Sequence, residues 1–135
     1  MVNIPKIKAL IPMKGHSERV PNKNTRPLAG RPACHWVLES LSGSKYIDEI
    51  VINTDSDNIA SICSEAFNVT ILERPDFLLG DMVGIQPLIS YDISHTDGEF
   101  YLQTHSTNPL LNTKTIDNAI ETVFEKDSVA VQNLK

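Results

Sequence analysis

Apolar and polar positions follow two alternating periods along this 135-residue chain, and the alternation predicts strands and helices in turn. Short apolar runs rich in β-branched residues are typical of buried strands. Longer segments with an apolar residue at every third or fourth position are typical of helices with one buried face. The predicted strands cover 6–12, 49–55, 68–75, 99–104 and 128–134, and the predicted helices cover 32–43, 56–67, 83–95 and 113–126.

Strands that alternate with helices predict βαβ units, and hence a single three-layer, Rossmann-like α/β domain over residues 1–135. Its sheet is expected to be mainly parallel and covered by helices on both faces. Ser56 and Thr113 are the expected N-caps of their helices. Trp36 has apolar neighbours at helical spacing and is expected in the core.

Ligands of such sheets bind at the carboxyl ends of the strands, near the point where the strand order reverses. Three segments follow predicted strands in this way: the loop that begins at Met13, the pair 54–55, and "QTHSTNP" at 103–109. A binding site is therefore expected where these segments meet.

The composition is typical of a soluble globular protein, with 41% hydrophobic residues, 21% charged residues and a mean hydropathy of −0.16. The net charge of −5 argues against nucleic acid as a partner. No apolar run approaches the roughly 20 residues of a membrane span. The first residues lack the apolar centre of a secretory signal, so a cytoplasmic location is expected. Cys34 and Cys63 are expected to be two buried, reduced thiols.

The loop after the first strand concentrates positive charge. Lys14, Arg19, Lys23 and Arg26 fall within thirteen residues, and Gly15 allows a close backbone approach. Cationic side chains and backbone N–H groups can together hold phosphate oxygens. The loop matches neither the GxxxxGK[ST] nor the GxGxxG phosphate motif. The residues alone therefore leave two interpretations open, an anion-binding loop and a solvated basic turn.

Other candidate residues have simpler interpretations. Asp55 follows a strand, as does the phosphoacceptor of response-regulator receivers, but the acidic pair of receivers is replaced by "PMKG" after the first strand. Asp55 is therefore expected to cap a helix or tie a loop. His105 lies in a loop and is expected to be neither a metal ligand nor a substrate contact. The remaining histidines show no metal-ligand spacing: His16, His35 and His95.

Four segments, in order, resemble the sugar-acid cytidylyltransferases, the family of the CMP-sialic acid synthetases. The most specific is "LIPMKGHSERVPNKNTRPLAGRP", which is similar to the family's "IPARGGSKRIPxKNIRxLxGKPL". In the same way "VINTDSDNIASIC" resembles "VSTDSEEIAEIA", "ERPDFLLGD" resembles "RRPAELATD", and "YLQTHSTNPLLNT" resembles "LLQPTSPLRT". The resemblance covers almost the whole chain.

The resemblance implies a fold of the nucleotide-diphospho-sugar transferase type and an enzyme that couples CTP to a carboxylated 2-keto sugar acid. The anomeric hydroxyl of the sugar attacks the α-phosphorus of CTP, and pyrophosphate leaves. The implied cofactor is Mg²⁺, which bridges phosphate oxygens and needs few protein carboxylates. In the family those carboxylates, and an arm that helps to form a homodimer, lie in a C-terminal half beyond this chain, so no metal ligand is assigned.

The resemblance also implies roles for single residues. Lys14 stands where the family has a phosphate-binding arginine, and it keeps the charge without the bidentate fork. Lys14 and Lys23 are the implied catalytic residues, because both would hold the triphosphate. Arg74 matches an arginine near the cytosine, and Gln103 matches a glutamine that reaches toward the sugar acid. The implied nucleotide-binding set is Met13, Lys14, Gly15, Ser17, Lys23, Asn24, Arg74 and Asp81.

The chain also departs from the family pattern. After Asp81 the family has small residues and serines, whereas this chain has "MVGI", and the segment after Gln103 is two residues longer and lacks an arginine. The sheet is expected to be truncated after its fifth strand, in either a fragment or a short relative. Three hypotheses follow: part of a cytidylyltransferase, a non-catalytic nucleotide-binding module derived from that family, or, more weakly supported, a flavodoxin-like signalling domain.

Overall fold

A computed structural model describes residues 4–15, 23–80, 83–106 and 111–125. The strands are β1 Ile7–Met13, β2 Pro27–Leu28, β3 Arg31–Pro32, β4 Ile47–Thr54, β5 Thr70–Glu73 and β6 Phe100–Gln103. The helices are α1 Ala33–Ser42, α2 Asp57–Ala66, α3 Ile85–Ser94 and α4 Thr113–Glu125, with a short 3-10 helix at Asp76–Leu78.

Four parallel strands form the central sheet in the order β5-β4-β1-β6. The chain builds outward from β1 through β4 to β5, and then crosses back to place β6 on the other side of β1. The strand order therefore reverses between β1 and β6, and their carboxyl ends diverge into a crevice. The predicted mainly parallel, Rossmann-like sheet is confirmed.

The two faces of the sheet bury different sets of side chains, since successive residues of a strand point to opposite faces. Ala9 and Ile11 of β1 and Ile50 and Ile52 of β4 join a core with residues of α1, α2 and α4. Leu10, Val51 and Asn53 alternate with them, and α3 contacts β1 and β4 through residues such as Leu88 and Asp92. Helices thus cover both faces, which gives the three layers predicted.

The eight predicted elements that precede residue 127 all occur, with ends shifted by one or a few residues. The ninth, the strand predicted over 128–134, lies outside the described residues. The predicted cap at Thr113 is wrong. Asn112 caps α4, because its Oδ1 accepts from the Thr115 N–H at 2.8 Å, while Thr113 Oγ1 donates to the Ser40 carbonyl at 2.7 Å.

A small hairpin that the sequence analysis did not predict joins β2 to β3. Ala29 and Gly30 form its turn with φ of 50° and 87°, which is the backbone of the two-residue turns that favour glycine. Trp36 Nε1 donates to the Leu28 carbonyl at 2.8 Å, and the Arg31 guanidinium stacks 4.6 Å from the Trp36 ring centre. Trp36 is only half-buried, so its predicted place in the core is wrong, and it anchors the hairpin instead.

Cys34 of α1 and Cys63 of α2 are both buried, and their free thiols lie 3.9 Å apart. The prediction of two buried thiols is therefore confirmed. In the described part of the chain, no helix combines the length and the apolar character that crossing a bilayer requires.

Candidate functional site

An open cleft of about 200 Å³ lies at the carboxyl ends of β1, β5 and β6, next to the crevice where the strand order reverses. Its walls combine three cationic side chains with an apolar patch from the start of α3. The lining residues are Pro12, Lys14, Lys23, Asn24, Arg74, Val83, Gly84, Ile85, Leu88, His105 and Ser106.

The loop after β1 is tied to the turn after β4. The Gly15 N–H donates to Asp55 Oδ1 at 2.8 Å. Ser56, next in the chain, caps α2 by accepting from the Ile59 N–H at 3.1 Å, as predicted. Asp55 therefore ties a loop, which was one of the two roles predicted for it. This bond fixes the backbone directly after Lys14.

Asn24 joins the two sides of the crevice. Its side chain is 2% exposed, and Nδ2 donates to the Lys14 carbonyl at 2.9 Å. Its Oδ1 accepts from the hydroxyl of Ser106, which follows β6. Its own carbonyl accepts from the Cys34 N–H of α1 at 2.9 Å. The three segments that were expected to meet therefore do so through hydrogen bonds.

Arg74, just beyond β5, lines the cleft with a guanidinium that is almost wholly buried. Nε donates to Asn53 Oδ1 at 2.8 Å, and Nη2 donates to the Asn53 carbonyl at 3.1 Å. Burial lowers the pKa of Arg74, and the nearby carboxylates of Asp55 and Asp92 oppose that shift. An arginine remains charged under such a shift, so the cleft keeps a cation here.

The start of α3 supplies a further source of positive potential. Gly84 and Ile85 line the cleft, and no side chain of the described residues caps this helix end. The first N–H groups of a helix carry partial positive charge and favour anions. Together with Lys14 and Lys23, this wall suits a ligand that carries several negative charges.

The other predicted site residues are placed as follows. Met13 lies in the core with 1% exposure, so its backbone alone can face a ligand. Gln103 lies at the end of β6, is half-buried outside the cleft lining, and donates from Nε2 to the Thr104 carbonyl at 3.2 Å. Ser17 and Asp81 fall outside the described residues. The functional roles assigned to all of them stay predictions.

Sequence reasoning missed several residues of the cleft. Ser106 belongs to a segment that was expected to face a ligand, but its bond to Asn24 could not be foreseen without the strand order. Ile85 and Leu88 form the apolar wall, and their signal was a weakly amphipathic helix. His105 also lines the cleft and is exposed, so a ligand could reach it.

The cytidylyltransferase family model matches residues 8–135. The chain is 27% identical over 117 residues to an N-acylneuraminate cytidylyltransferase of Escherichia coli O18:K1:H7, covering 86% of this chain and 28% of that protein. It is 27% identical over 128 residues to a 3-deoxy-manno-octulosonate cytidylyltransferase of Francisella tularensis subsp. novicida, covering 95% of this chain and 50% of that protein.

A similar fold occurs in the structure of CMP:2-keto-3-deoxy-manno-octonic acid synthetase complexed with CTP. The TM-score is 0.77 at 16% identity, over 92% of this chain and 49% of that one. The chain thus spans half or less of the length of these proteins. The family match extends over nearly the whole sequence, so this chain belongs to the cytidylyltransferase family.

Proposed function

We propose that this chain is the nucleotide-binding part of an enzyme that activates a carboxylated 2-keto sugar acid with CTP. The observation that carries the proposal is the cleft itself. Lys14, Lys23 and Arg74 line one space at the reversal point of a parallel sheet, and the start of α3 faces the same space. A nucleoside triphosphate presents both the anionic chain and the planar base that such walls suit.

In the proposed reaction, the anomeric oxygen of the sugar acid forms a bond to the α-phosphorus of CTP. The bond from that phosphorus to the bridging oxygen breaks, pyrophosphate leaves, and the hydroxyl proton passes to solvent. Negative charge on the phosphates rises during this displacement, so fixed cations lower the barrier. Lys14 and Lys23 would hold the triphosphate, and Asn24 and Asp55 would keep the loop backbone in place.

Base and sugar-acid contacts complete the proposal. Arg74 would lie near the cytosine, where a buried guanidinium edge can donate to a carbonyl oxygen. Gln103 would reach toward the sugar acid. Support for these substrates comes from the relatives, which are named for two sugar acids of this class, and from the CTP complex of the similar structure. Assembly of a longer form into a homodimer is part of the same proposal.

Magnesium was expected in the full-length enzyme, and no metal ligand is assigned among the described residues. Among them, no group of three or more histidine, cysteine or acidic side chains could hold a metal ion. Asp55 accepts from the Gly15 N–H and ties the loop. No step of the mechanism proposed for this chain is therefore routed through the metal.

Nucleotide preference provides the first test. Calorimetric titration of the 135-residue chain with CTP, UTP, ATP and GTP should show tighter binding of CTP than of either purine nucleotide. The reason is that "ERPDFLLGD" resembles the segment of the family that lies near the cytosine, so Arg74 would lie near the base. Binding of ATP as tight as that of CTP would contradict the proposed substrate.

The two lysines provide the second test. Charge-assisted hydrogen bonds contribute about 1.5–3 kcal/mol, so Lys14→Ala or Lys23→Ala should weaken CTP binding roughly 10- to 100-fold. Lys14→Arg should retain binding because it keeps the charge. Lys6→Ala is the matched control, since Lys6 is exposed and lies before β1, away from the cleft. If both cleft variants bind CTP as the parent does, with unchanged circular dichroism, the loop is only a solvated basic turn.

A non-catalytic nucleotide-binding module is the second candidate. The observation in its favour is that the described residues include no acidic cluster suited to a metal. Both candidates predict CTP binding. They differ when the C-terminal half of a family member is added to this chain: the enzyme candidate predicts that pyrophosphate is then released, and the non-catalytic module predicts that it is not.

A further inference from the structure

A network of three buried polar side chains, joined by hydrogen bonds, lies behind the cleft wall. Arg74, Asn53 and Asp92 come from the end of β5, from β4 and from α3, and their exposures are 5%, 0% and 1%. Arg74 donates twice to Asn53, and Asn53 Nδ2 donates to Asp92 Oδ1 at 2.7 Å. Of the three, only Arg74 lines the cleft.

Arg74 determines the direction of each hydrogen bond in this network of three side chains. A guanidinium has donors and no acceptor, so the amide oxygen of Asn53 must face it. The amide nitrogen of Asn53 must then point the other way, toward α3. A group that accepts is required there, and the Asp92 carboxylate is that group. By accepting from Asn53 Nδ2, Asp92 holds Asn53 in the orientation in which its amide oxygen accepts from Arg74, and Asn53 in turn limits where Arg74 can donate.

This arrangement buries the Asp92 carboxylate, and burial disfavours its charged form. Burial raises the pKa of Asp92, while the bond from Asn53 and the electrostatic effects of Arg74 and His95 oppose the shift. A buried charged group is weak evidence for stability, because its desolvation can exceed what its partners return. A titratable group with a shifted pKa that is hydrogen-bonded to a residue of a cleft is a candidate functional residue.

We propose that Asp92 is a positioning residue: through Asn53 it fixes the plane of the Arg74 guanidinium at the cleft wall. Because Asn53 accepts from Nε and from one N–H of Nη2, the edge left for a ligand is formed by Nη1 and the second N–H of Nη2. That edge then faces the cleft in one orientation before a ligand arrives, which removes the entropy of ordering a long side chain on binding. That the ligand is a nucleotide rests on the proposed function.

Two readouts on the same variants test this inference. The first is hydrogen exchange of the Arg74 Nε–H by NMR, assigned through its loss in Arg74→Lys, and it needs no nucleotide. The second is the affinity of the 135-residue chain for CTP. The variants are Asp92→Leu, which removes the acceptor at similar volume, and Asp92→Asn, whose amide oxygen can still accept. Asp97→Asn is the control, an exposed acid after α3.

Asp92→Leu should speed exchange of the Arg74 Nε–H at least tenfold and weaken CTP binding about tenfold, whereas Asp97→Asn should change neither. Asp92→Asn should speed exchange severalfold, because a neutral acceptor makes a weaker bond, and leave CTP affinity within about twofold. Combined with Arg74→Lys, Asp92→Leu should weaken binding no further, since Asp92 acts through Arg74.

Unchanged Nε–H exchange in Asp92→Leu would overturn the inference, as would additive losses of affinity in the double variant. If Asp92→Leu does not fold, exchange in Asp92→Asn decides, and a rate equal to that of the parent overturns the inference. A parent chain that binds no CTP would refute the proposed function alone, because the exchange measurement would still decide whether Asp92 positions Arg74.

Discussion

Gly15 lies close to the turn after β4, at the start of the loop after β1. A Cβ atom there would lie 2.6 Å from Ser56 Cβ and 3.3 Å from Asp55 Oδ1. Glycine is therefore needed at position 15 because the backbone there passes close to Ser56 and Asp55. The positive φ values of described glycines occur at Gly30 and Gly80, not at Gly15.

Gly15→Ala should destabilise the fold by about 1–3 kcal/mol through overpacking, as measured by urea unfolding. Ser56→Gly alone should lower stability by only a few tenths of a kcal/mol, because glycine is an acceptable N-cap. The double variant should recover most of the loss, since the two Cβ atoms no longer meet. A Gly15→Ala variant as stable as the parent would show that the loop shifts freely, and hence that it is not a preorganised site.

Asp92 should leave a signature in the dependence of stability on pH. Its pKa is raised in the folded chain, above the value of about 3.9 in an unfolded one. The folded state therefore holds the proton more tightly than the unfolded state. The resulting contribution of Asp92 to stability is complete below the pKa of the unfolded chain and is lost as pH rises through the pKa of the folded chain. Arg74, Asn53 and His95 are the polar groups that act on this carboxyl group.

Asp92→Asn should remove that part of the pH dependence. The free energy of unfolding of the variant minus that of the parent should thus be larger at pH 7 than at pH 4, which means that the variant gains stability relative to the parent as pH rises. Urea denaturation at several pH values measures this difference, and Asp97→Asn is again the control. A difference that stays constant across the range would mean that the Asp92 carboxyl group titrates as it does in the unfolded chain.

At the scale of elements, α4 is held to the turn between α1 and β4 by polar groups. Ser44 Oγ donates to Asp117 Oδ1 at 2.5 Å and accepts from the Tyr46 N–H at 3.2 Å. The Tyr46 hydroxyl donates to the Glu121 carboxylate, which raises the pKa of Tyr46 to about 12. These bonds join α4 to the segment between α1 and β4.

Ser44→Ala should lower the free energy of unfolding by about 1–2 kcal/mol, because it removes both bonds of a buried hydroxyl group. Ser42→Ala, at an exposed position two residues earlier, should change it by less than about 0.5 kcal/mol. Equal effects of the two substitutions would indicate that the bonds to Ser44 add nothing to the packing of α4.

Periodicity located the elements because burial acts locally on each strand and helix. β1 is apolar at every position except Lys8, and β4 is apolar over Ile50–Ile52, since helices cover both sheet faces, and these runs are visible in the sequence. What the sequence could not supply was contact across the sheet. The bonds of Asn24 to Lys14 and Ser106, and of Arg74 to Asn53, join residues up to 82 positions apart. They depend on strand order, which periodicity does not contain.

The wrong prediction of a cap at Thr113 has its cause in a tertiary contact. The caps at Ser56 and Thr113 had the same signal, a hydroxyl residue before an apolar period. Ser56 bonds to its own helix, whereas the Thr113 hydroxyl donates to the Ser40 carbonyl, and Asn112 takes the capping role. Tertiary contact thus overrode a preference that was correct elsewhere. The resemblance to the cytidylyltransferases supplied Lys23 and Arg74 as site residues, and both lie in the cleft.

At the scale of the whole molecule, the question is what a chain that spans about half the length of such relatives can do alone. The cleft brings Lys14, Lys23 and Arg74 to one wall, yet the described residues offer no acidic cluster for a metal that would share the charge of the leaving pyrophosphate. We therefore expect the 135-residue chain to bind CTP and to release little pyrophosphate, even when Mg²⁺ and a sugar acid are present.

A coupled assay for pyrophosphate measures this, with each of the two sugar acids for which the relatives are named. A full-length 3-deoxy-manno-octulosonate cytidylyltransferase, assayed with its own sugar acid, is the positive control. Turnover by the chain should fall at least about 10³-fold below it, since loss of a single charge-stabilising contact already costs about 10²–10³ in rate. Turnover near that of the control, abolished by Lys14→Ala, would show that the two lysines and Arg74 suffice for catalysis.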